Sequence, residues 1–591
     1  MTSLTWDLGD LFAGVDDPAW GAAVDASLAE AAAFAERYRG TIAVAGGPAA
    51  EHLRATLVEF EAIQDRAVRV GTFARLMHAA DSRDPRVREL VARADQFGTE
   101  LRNRLLFFDL EWLDVAEGDA ERLIADPTLA AYAHYLSRER LNLPHKLTEP
   151  EEKVANEKDL TGRRAWQKLW TELTSALTFP VEVDGETKRL TMAEVLTRLQ
   201  DSERSVRKAA HDSLFGVLEE QNAVLTFAYD TLVQDHLTMD RLRNRPDPMQ
   251  ERHLANDIPA EAVDQMMAVV EEAYPIAQRY FRAKAAMVRL TKLTVYDQYA
   301  PVGAPAPARS YEESRAIVLE AFGAFSPRVR DLAADFFEKS WIDAEVRSGK
   351  RTGAFCSYPT PTNHPYVLMS YTGKRRDVMT LAHELGHGVH GQLARGQTLV
   401  NYHPPLPLAE TASVFGEMLV FDHVLARESD PLQRRALIAG TVEDMFATVF
   451  RQNVLTRFEQ GVYAARREAR LTADRLNGLW LDANRAYYGD ALDLTEGYRL
   501  GWSYIPHFVN TRFYCYAYTF GELLVLALYR LYRERGAAFV PDYMELLELG
   551  GSVAPAEAVA RLGMDVRDRE FWRLGLAEIE RLVDSLTEEA R

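Results

Sequence analysis

His383 and His387 stand four residues apart in the run Thr380-Leu381-Ala382-His383-Glu384-Leu385-Gly386-His387-Gly388-Val389-His390. Four residues is about one helical turn, so a helix places both imidazoles on one face. Such a helix must bury one side and keep the other for the histidines. Val378, Leu381, Leu385, Val389 and Leu393 supply the side to bury at helical spacing, and Asp377 is the expected N-cap. At ~100° per residue the two imidazoles point away from that stripe, toward a cleft. From there two ring nitrogens can reach one zinc ion at ~2.0–2.1 Å. Glu384, one step round, stands beside the metal, where it can take a proton from the attacking water.

With 14 His in 591 residues, H-E-x-x-H can arise by accident, so the argument turns on whether a ligand set can be completed. A catalytic zinc ordinarily has three protein ligands and one open position. His390 lies roughly on the histidine face, but one straight helix would string three ligands along its axis. It is therefore expected either to stand behind a ligand or to line the cleft and touch substrate. Beyond Gly396, a natural stop, His403-Pro404-Pro405-Leu406-Pro407 makes a stiff return into a predicted helix from Leu408 to Glu417. That helix presents Glu410, Ser413 and Glu417 on one face, and a returning carboxylate completes a His₂Glu set. Glu410 and Glu417 lie seven residues apart, about 10 Å along the axis, so only one of them can bind the metal directly.

Net charge decides what else the chain can meet. Lys and Arg total 69 against 88 Asp and Glu, a balance of −19, with no basic run to track phosphates. This argues against nucleic acid and against an anionic membrane surface. The opening Met1-Thr2-Ser3-Leu4-Thr5-Trp6-Asp7 lacks the basic and apolar regions of a signal peptide, and no apolar run is long enough to span a bilayer. Cys356 and Cys515 make no disulfide framework and read as buried thiols of a reducing compartment. The expectation is a soluble cytoplasmic protein.

The first 175 or so residues read as stacked amphipathic helices. Leu53, Leu57, Phe60, Ile63, Ala67 and Val70 form one stripe. Asp84-Pro85 caps and starts the next, which carries Val87, Leu90, Ala94, Phe97 and Leu101. Residues 178–191 alternate about Asp184-Gly185 as a β-hairpin, and Thr191-Met192-Ala193-Glu194 is a capping box opening another helix. Helices resume to about residue 290, interrupted at Pro259 and Pro275, and residues 300–307 are a loop by composition. Before the histidine helix, Gly353–Tyr358 and Tyr366–Tyr371 look like two strands. An open edge there suits an extended peptide lying along Gly353, Ala354 and Phe355, the alternative being a purely structural hairpin.

Several motifs in order resemble the M3 peptidases, the oligoendopeptidase F branch above all. They are Arg351-Thr352-Gly353-Ala354-Phe355-Cys356, His364-Pro365-Tyr366-Val367-Leu368-Met369, Asp377–His387 and Ala409-Glu410-Thr411-Ala412-Ser413. Leu141–Glu152 resembles the N-terminal domain of that branch. Trp502-Ser503-Tyr504-Ile505-Pro506-His507 and Phe513-Tyr514-Cys515-Tyr516-Ala517-Tyr518 resemble its C-terminal motif. The likeness runs from about residue 115 to the end.

The resemblance implies a mainly α, two-lobed metallopeptidase with a deep substrate channel and a small β element beside the zinc helix. It implies three segments: an N-terminal helical stretch 1–114, an oligoendopeptidase F-type domain 115–190 and a catalytic domain 191–591. Glu410 matches the family's metal-binding glutamate, leaving Glu417 to hold a histidine from behind. His507 corresponds to the histidine that binds the carbonyl oxygen as it turns negative, and Tyr514 and Tyr518 share a helical face beside it, with Tyr516 pointing elsewhere. The spacing of these tyrosines differs by a residue or so from that of better-known relatives, and an aromatic core patch is the other reading of the cluster.

The expected activity is hydrolysis of internal bonds in short peptides, with one zinc ion as cofactor and Glu384 as general base. The alternatives are an exopeptidase of the dipeptidyl carboxypeptidase type, which needs a basic or polar pocket for a free C-terminus, and a non-catalytic peptide-binding protein, which has no use for Glu384.

Overall fold

A computed structural model describes residues 4–183, 185–303 and 307–589. The chain is mainly helical with a few short strands, and it forms two compact units, each assembled from three separated stretches. Asp184, one half of the expected hairpin signal, and residues 304–306 of the expected loop lie outside the described residues.

The first unit comprises Met1–Leu143, Ala306–Arg427 and Leu531–Gly563. Helices Pro18–Tyr38, Ala50–Ala80 and Pro85–Asp114 pack on one another. The stripe from Leu53 to Val70 is buried as its spacing requires, and Trp20 Nε1 donates to the Val70 carbonyl oxygen at 3.1 Å. Asp84 accepts from the Arg86 N–H at 2.9 Å, with Pro85 in the first turn, where a missing N–H costs nothing.

The two strands expected before the histidine helix form, shortened to Phe355–Ser357 and Tyr366–Leu368, and pair antiparallel. A third strand, Ile342–Asp343, runs parallel to Tyr366–Leu368 on its other side. Two residues are too short a run for alternation to reveal. The order leaves Phe355–Ser357 at the sheet edge.

The second unit comprises Pro144–Pro305, Glu428–Arg530 and Met564–Arg591. Its hairpin pairs Phe179–Val183 with Glu186–Leu190, and Thr191 with Glu194 closes the capping box of helix Met192–Arg198. The long helix Arg204–Leu242 packs against the hairpin and against helix Arg163–Ala176. Helix Ala260–Glu272 begins after Pro259, and Pro275 lies in the first turn of Tyr274–Met287. No described helix is long and apolar enough to cross a membrane.

Candidate active site

The helix carrying the two histidines runs Arg375–Leu393. Its N-cap is Lys374, not Asp377. Asp377 sits three residues in and reaches back, its Oδ2 accepting from the backbone N–H of Thr372 at 2.7 Å and of Lys374 at 3.1 Å. A carboxylate in the first turn satisfies free N–H groups from this position as well as from the cap itself. Val378, Leu381, Leu385, Val389 and Leu393 are buried, while the His383 and His387 side chains stay 28% and 15% exposed.

Backbones pack closely where the returning carboxylate arrives. A Cβ on Gly386 would meet the Ala412 carbonyl oxygen at 2.3 Å and the Ser413 Cα at 2.6 Å. Only glycine lets helix Thr411–Arg427 cross the histidine helix this tightly. The predicted helix through Leu408–Glu417 is interrupted once, at Glu410, which joins Leu406–Ala409 to Thr411–Arg427. From that joint Glu410 turns toward the histidines, held by Ser413 Oγ donating to its Oε2 at 2.6 Å.

Three ligand-type atoms converge. His383 Nε2 and His387 Nε2 lie 3.2 Å apart, and Glu410 Oε2 is 3.4 Å from each. Bonds of ~2.0–2.2 Å in a tetrahedron require edges of about 3.3–3.6 Å, so these atoms fit a tetrahedral zinc with one position open. Glu417 is placed differently. Its Oε1 is 2.6 Å from Nδ1 of His383, on the far side of the ring. Beside that carboxylate a neutral imidazole carries its proton on Nδ1, which leaves the Nε2 lone pair facing inward for a metal.

Charge follows the same geometry. Burial works against protonation of His383, but the Glu417 bond and the charges of Glu417, Glu410 and Glu384 outweigh it and raise its pKa to about 9. His387, without such a partner, is pushed down, by burial first. Burial resists ionisation of Glu410, yet the two imidazoles and Ser413 hold its carboxyl below the usual range. Glu384 is 5% exposed, and burial pushes it up to about 7 against the pull of His383. It also receives a hydrogen bond from the backbone of Cys356, so the edge strand touches the candidate base. Nothing in the spacing of H-E-x-x-H announces that contact.

His390 does not line a cleft. It is 2% exposed, and burial drives its pKa down to about 3. It keeps roughly the His383 direction but lies about 10 Å along the axis, where another stretch covers the helix: the Tyr402 hydroxyl donates to the neighbouring Gly391 carbonyl oxygen at 2.9 Å, and His403 is near enough for its charge to count. Gly353 is exposed with φ +85°, and Ala354 and Phe355 are half-buried. Cys356 is half-buried and Cys515 buried, both as free thiols.

In the second unit His507, Tyr514 and Tyr518 form a cluster. His507 stacks on Tyr514 with centroids 5.7 Å apart, and its Nε2 lies 3.3 Å from the Tyr518 hydroxyl. All three are half-buried. Tyr514 precedes helix Tyr516–Arg535, so it reaches the Tyr518 ring from a turn. Tyr516 is fully buried, its hydroxyl 3.0 Å from both His253 Nδ1 and Asn256 Nδ2.

Residues 197–577 match the family model of peptidase family M3, and residues 111–179 match that of Oligopeptidase F. Oligopeptidase PepF of Bacillus subtilis is 26% identical over 599 residues, covering 99% of this chain and 87% of that one. A solved structure from Chlamydophila abortus shares the fold with a TM-score of 0.89 at 22% identity, covering 99% and 98% of the two chains. Oligoendopeptidase-F from Enterococcus faecium does so with a TM-score of 0.71 at 23% identity, covering 96% and 97%. With the M3 match spanning well over half of the sequence and enclosing every residue of both clusters, the chain belongs to peptidase family M3 and is a metallopeptidase.

Proposed function

We propose that this metallopeptidase is a zinc-dependent oligoendopeptidase, cleaving internal bonds of short peptides. The observation that carries the reading is the near-equilateral triangle of His383 Nε2, His387 Nε2 and Glu410 Oε2, with Glu384 beside it. Zinc bound there supplies Lewis-acid polarisation of the scissile carbonyl and of water. His383, His387 and Glu410 hold the ion. Glu417 keeps His383 in the tautomer that leaves Nε2 free.

Glu384 accepts the proton of the attacking water and returns it to the leaving amine. Its raised pKa suits a carboxylate that must both take and give a proton near neutral pH. His507, Tyr514 and Tyr518 are assigned as donors to the carbonyl oxygen as it becomes negative. Their half-buried N–H and O–H groups are of the right kind for that task. Gly353, Ala354 and Phe355 offer main-chain groups along the sheet edge to an extended peptide, which binds backbone regardless of sequence.

The test is stripping metal with a chelator and restoring zinc. Activity on short peptides should vanish and return, with one zinc per chain measured by elemental analysis. Full turnover in the rigorously stripped protein would sink the mechanism. Mass spectrometry of products from a mixed peptide library separates internal from terminal cleavage: release of only terminal dipeptides would replace the endopeptidase reading with the exopeptidase one.

A further inference from the structure

Interior arginines of the second unit are matched to carboxylates. Arg512 meets Asp240 at 2.6 Å and Glu251 at 2.5 Å, Arg207 meets Asp297 at 2.9 Å, and Arg466 meets Asp230 at 2.7 Å. Arg451, in the first turn of helix Phe450–Glu468, is the contrast. Among the described residues no carboxylate oxygen lies within 4.0 Å of it. Its neighbours are phenols: Tyr504 bonds to it, and Tyr299, Tyr498 and Tyr488 stand round it. Glu443 faces one of the same cavities but is already engaged by Lys284 Nζ and the Tyr280 hydroxyl.

A half-buried guanidinium paired only with neutral groups is costly to keep. It is also poised for an anion, because its planar fork matches the two oxygens of a carboxylate. The space is present. Arg451 borders two cavities of ≈ 20 and ≈ 30 Å³, both also lined by Tyr299, and each has room for about one water-sized oxygen. The place is suggestive too. Tyr504 and His507 belong to one short segment, Trp502–His507, and the Arg451 charge is felt at His507.

We propose that Arg451, with the hydroxyls of Tyr299 and Tyr504, forms a subsite for a substrate carboxylate, the free C-terminus of a short peptide. The assignment rests on the reading that His507 meets substrate. It supplies a basic, polar pocket that no sequence motif marked, and it makes the distance from the cleaved bond to the C-terminus a determinant of which peptides are accepted. A side-chain carboxylate offers the same chemistry, and the experiment separates the two sources.

Four peptides of one sequence are needed: free acid and C-terminal amide, and, both amidated, an internal Glu and its Gln counterpart. Binding is measured by calorimetry on the zinc-loaded E384Q chain, and cleavage is followed separately on the unsubstituted enzyme. The acid should bind about 10-fold or more tighter than the amide, the usual scale for a charge-assisted hydrogen bond. That ratio should fall to about one in R451Q on the same background and return in part in R451K. A Glu-over-Gln ratio that collapses in R451Q instead assigns the site to side chains. Equal binding across both pairs with Arg451 intact, no binding at all, or a ratio that survives R451Q overturns the proposal. If R451Q does not fold, the ratios with Arg451 intact and with R451K still decide. If no peptide is cleaved, the peptidase reading fails while the binding ratios continue to judge the subsite.

Discussion

The two clusters differ in how they are held and in what they are made of. In the first unit, charged groups sit on two helices whose backbones touch at Gly386 and on the joint that carries Glu410, with His383 held by Glu417 and Glu410 by Ser413. In the second, neutral donors surround a turn, and their contacts are mostly ring on ring. A metal site needs fixed distances before the ion arrives, and rigid elements give them. Donors to an oxyanion need their full strength only when charge develops, so half-buried rings from a short helix, a turn and the first turn of the next helix suit the proposed role.

Removing charge from the first cluster should have the largest effects, and of two different kinds. Glu384→Gln keeps shape and should keep zinc at one per chain while nearly abolishing turnover, because an amide cannot accept the proton. Glu410→Ala should lose the metal itself. Zinc content of the two purified variants separates base from ligand, and stoichiometric zinc in the second would hand the ligand role to Glu417.

Next in size are the proposed oxyanion donors. His507→Ala or Tyr514→Phe should lower kcat by roughly 10²–10³ with little change in KM, since the bond strengthens only in the transition state. An effect confined to KM would turn these residues into ground-state binders and erase the contrast drawn above. Glu417→Ala should cost only about 10–100-fold in zinc affinity or activity, since it acts through His383. Gly386→Ala tests the helix contact directly. Its methyl group meets backbone, which has nowhere to turn, so about 1–3 kcal/mol of stability and much of the zinc affinity should be lost together.

Periodic features in both units were readable from residues alone. The apolar stripe over 378–393, the i, i+4 histidines and the capping box at Thr191 each follow from local spacing. What escaped depends on partners distant in sequence. The third strand has two residues and exists only because Tyr366–Leu368 lies beside it. The bond between the Cys356 backbone and Glu384 joins a strand to a helix across a loop. His390 fits the histidine face on a helical wheel, yet it is buried because Tyr402 and His403 cover that end of the helix. The compact units interleave three stretches each, which no linear change of composition announces. Arg451 looks like any arginine until its neighbours are known.

The smallest expected effect concerns how the tyrosine turn is anchored. Phe513 adopts φ +52°, a left-handed conformation that a bulky residue rarely takes, and its N–H donates to Glu459 Oε1 at 3.0 Å. Glu459 is fully buried, with Oε2 unpartnered, and burial lifts its pKa to about 8 despite that bond and the charges of Arg512 and Arg252. In the unfolded chain it titrates near 4.5. Between those values the folded protein binds the extra proton, so stability falls as pH rises from about 4.5 through about 8 and then levels. Glu459→Gln keeps an acceptor for the Phe513 N–H but cannot ionise. Its Tm should match that of the unsubstituted chain near pH 5 and exceed it near pH 8.5, by an amount on the order of 2–4 °C. Thermal denaturation at several pH values reads this directly. A gap between the two proteins that stays constant with pH would mean that Glu459 is ionised throughout, held by the arginines, and that the turn before Tyr514 is anchored by charge as firmly as the metal cluster.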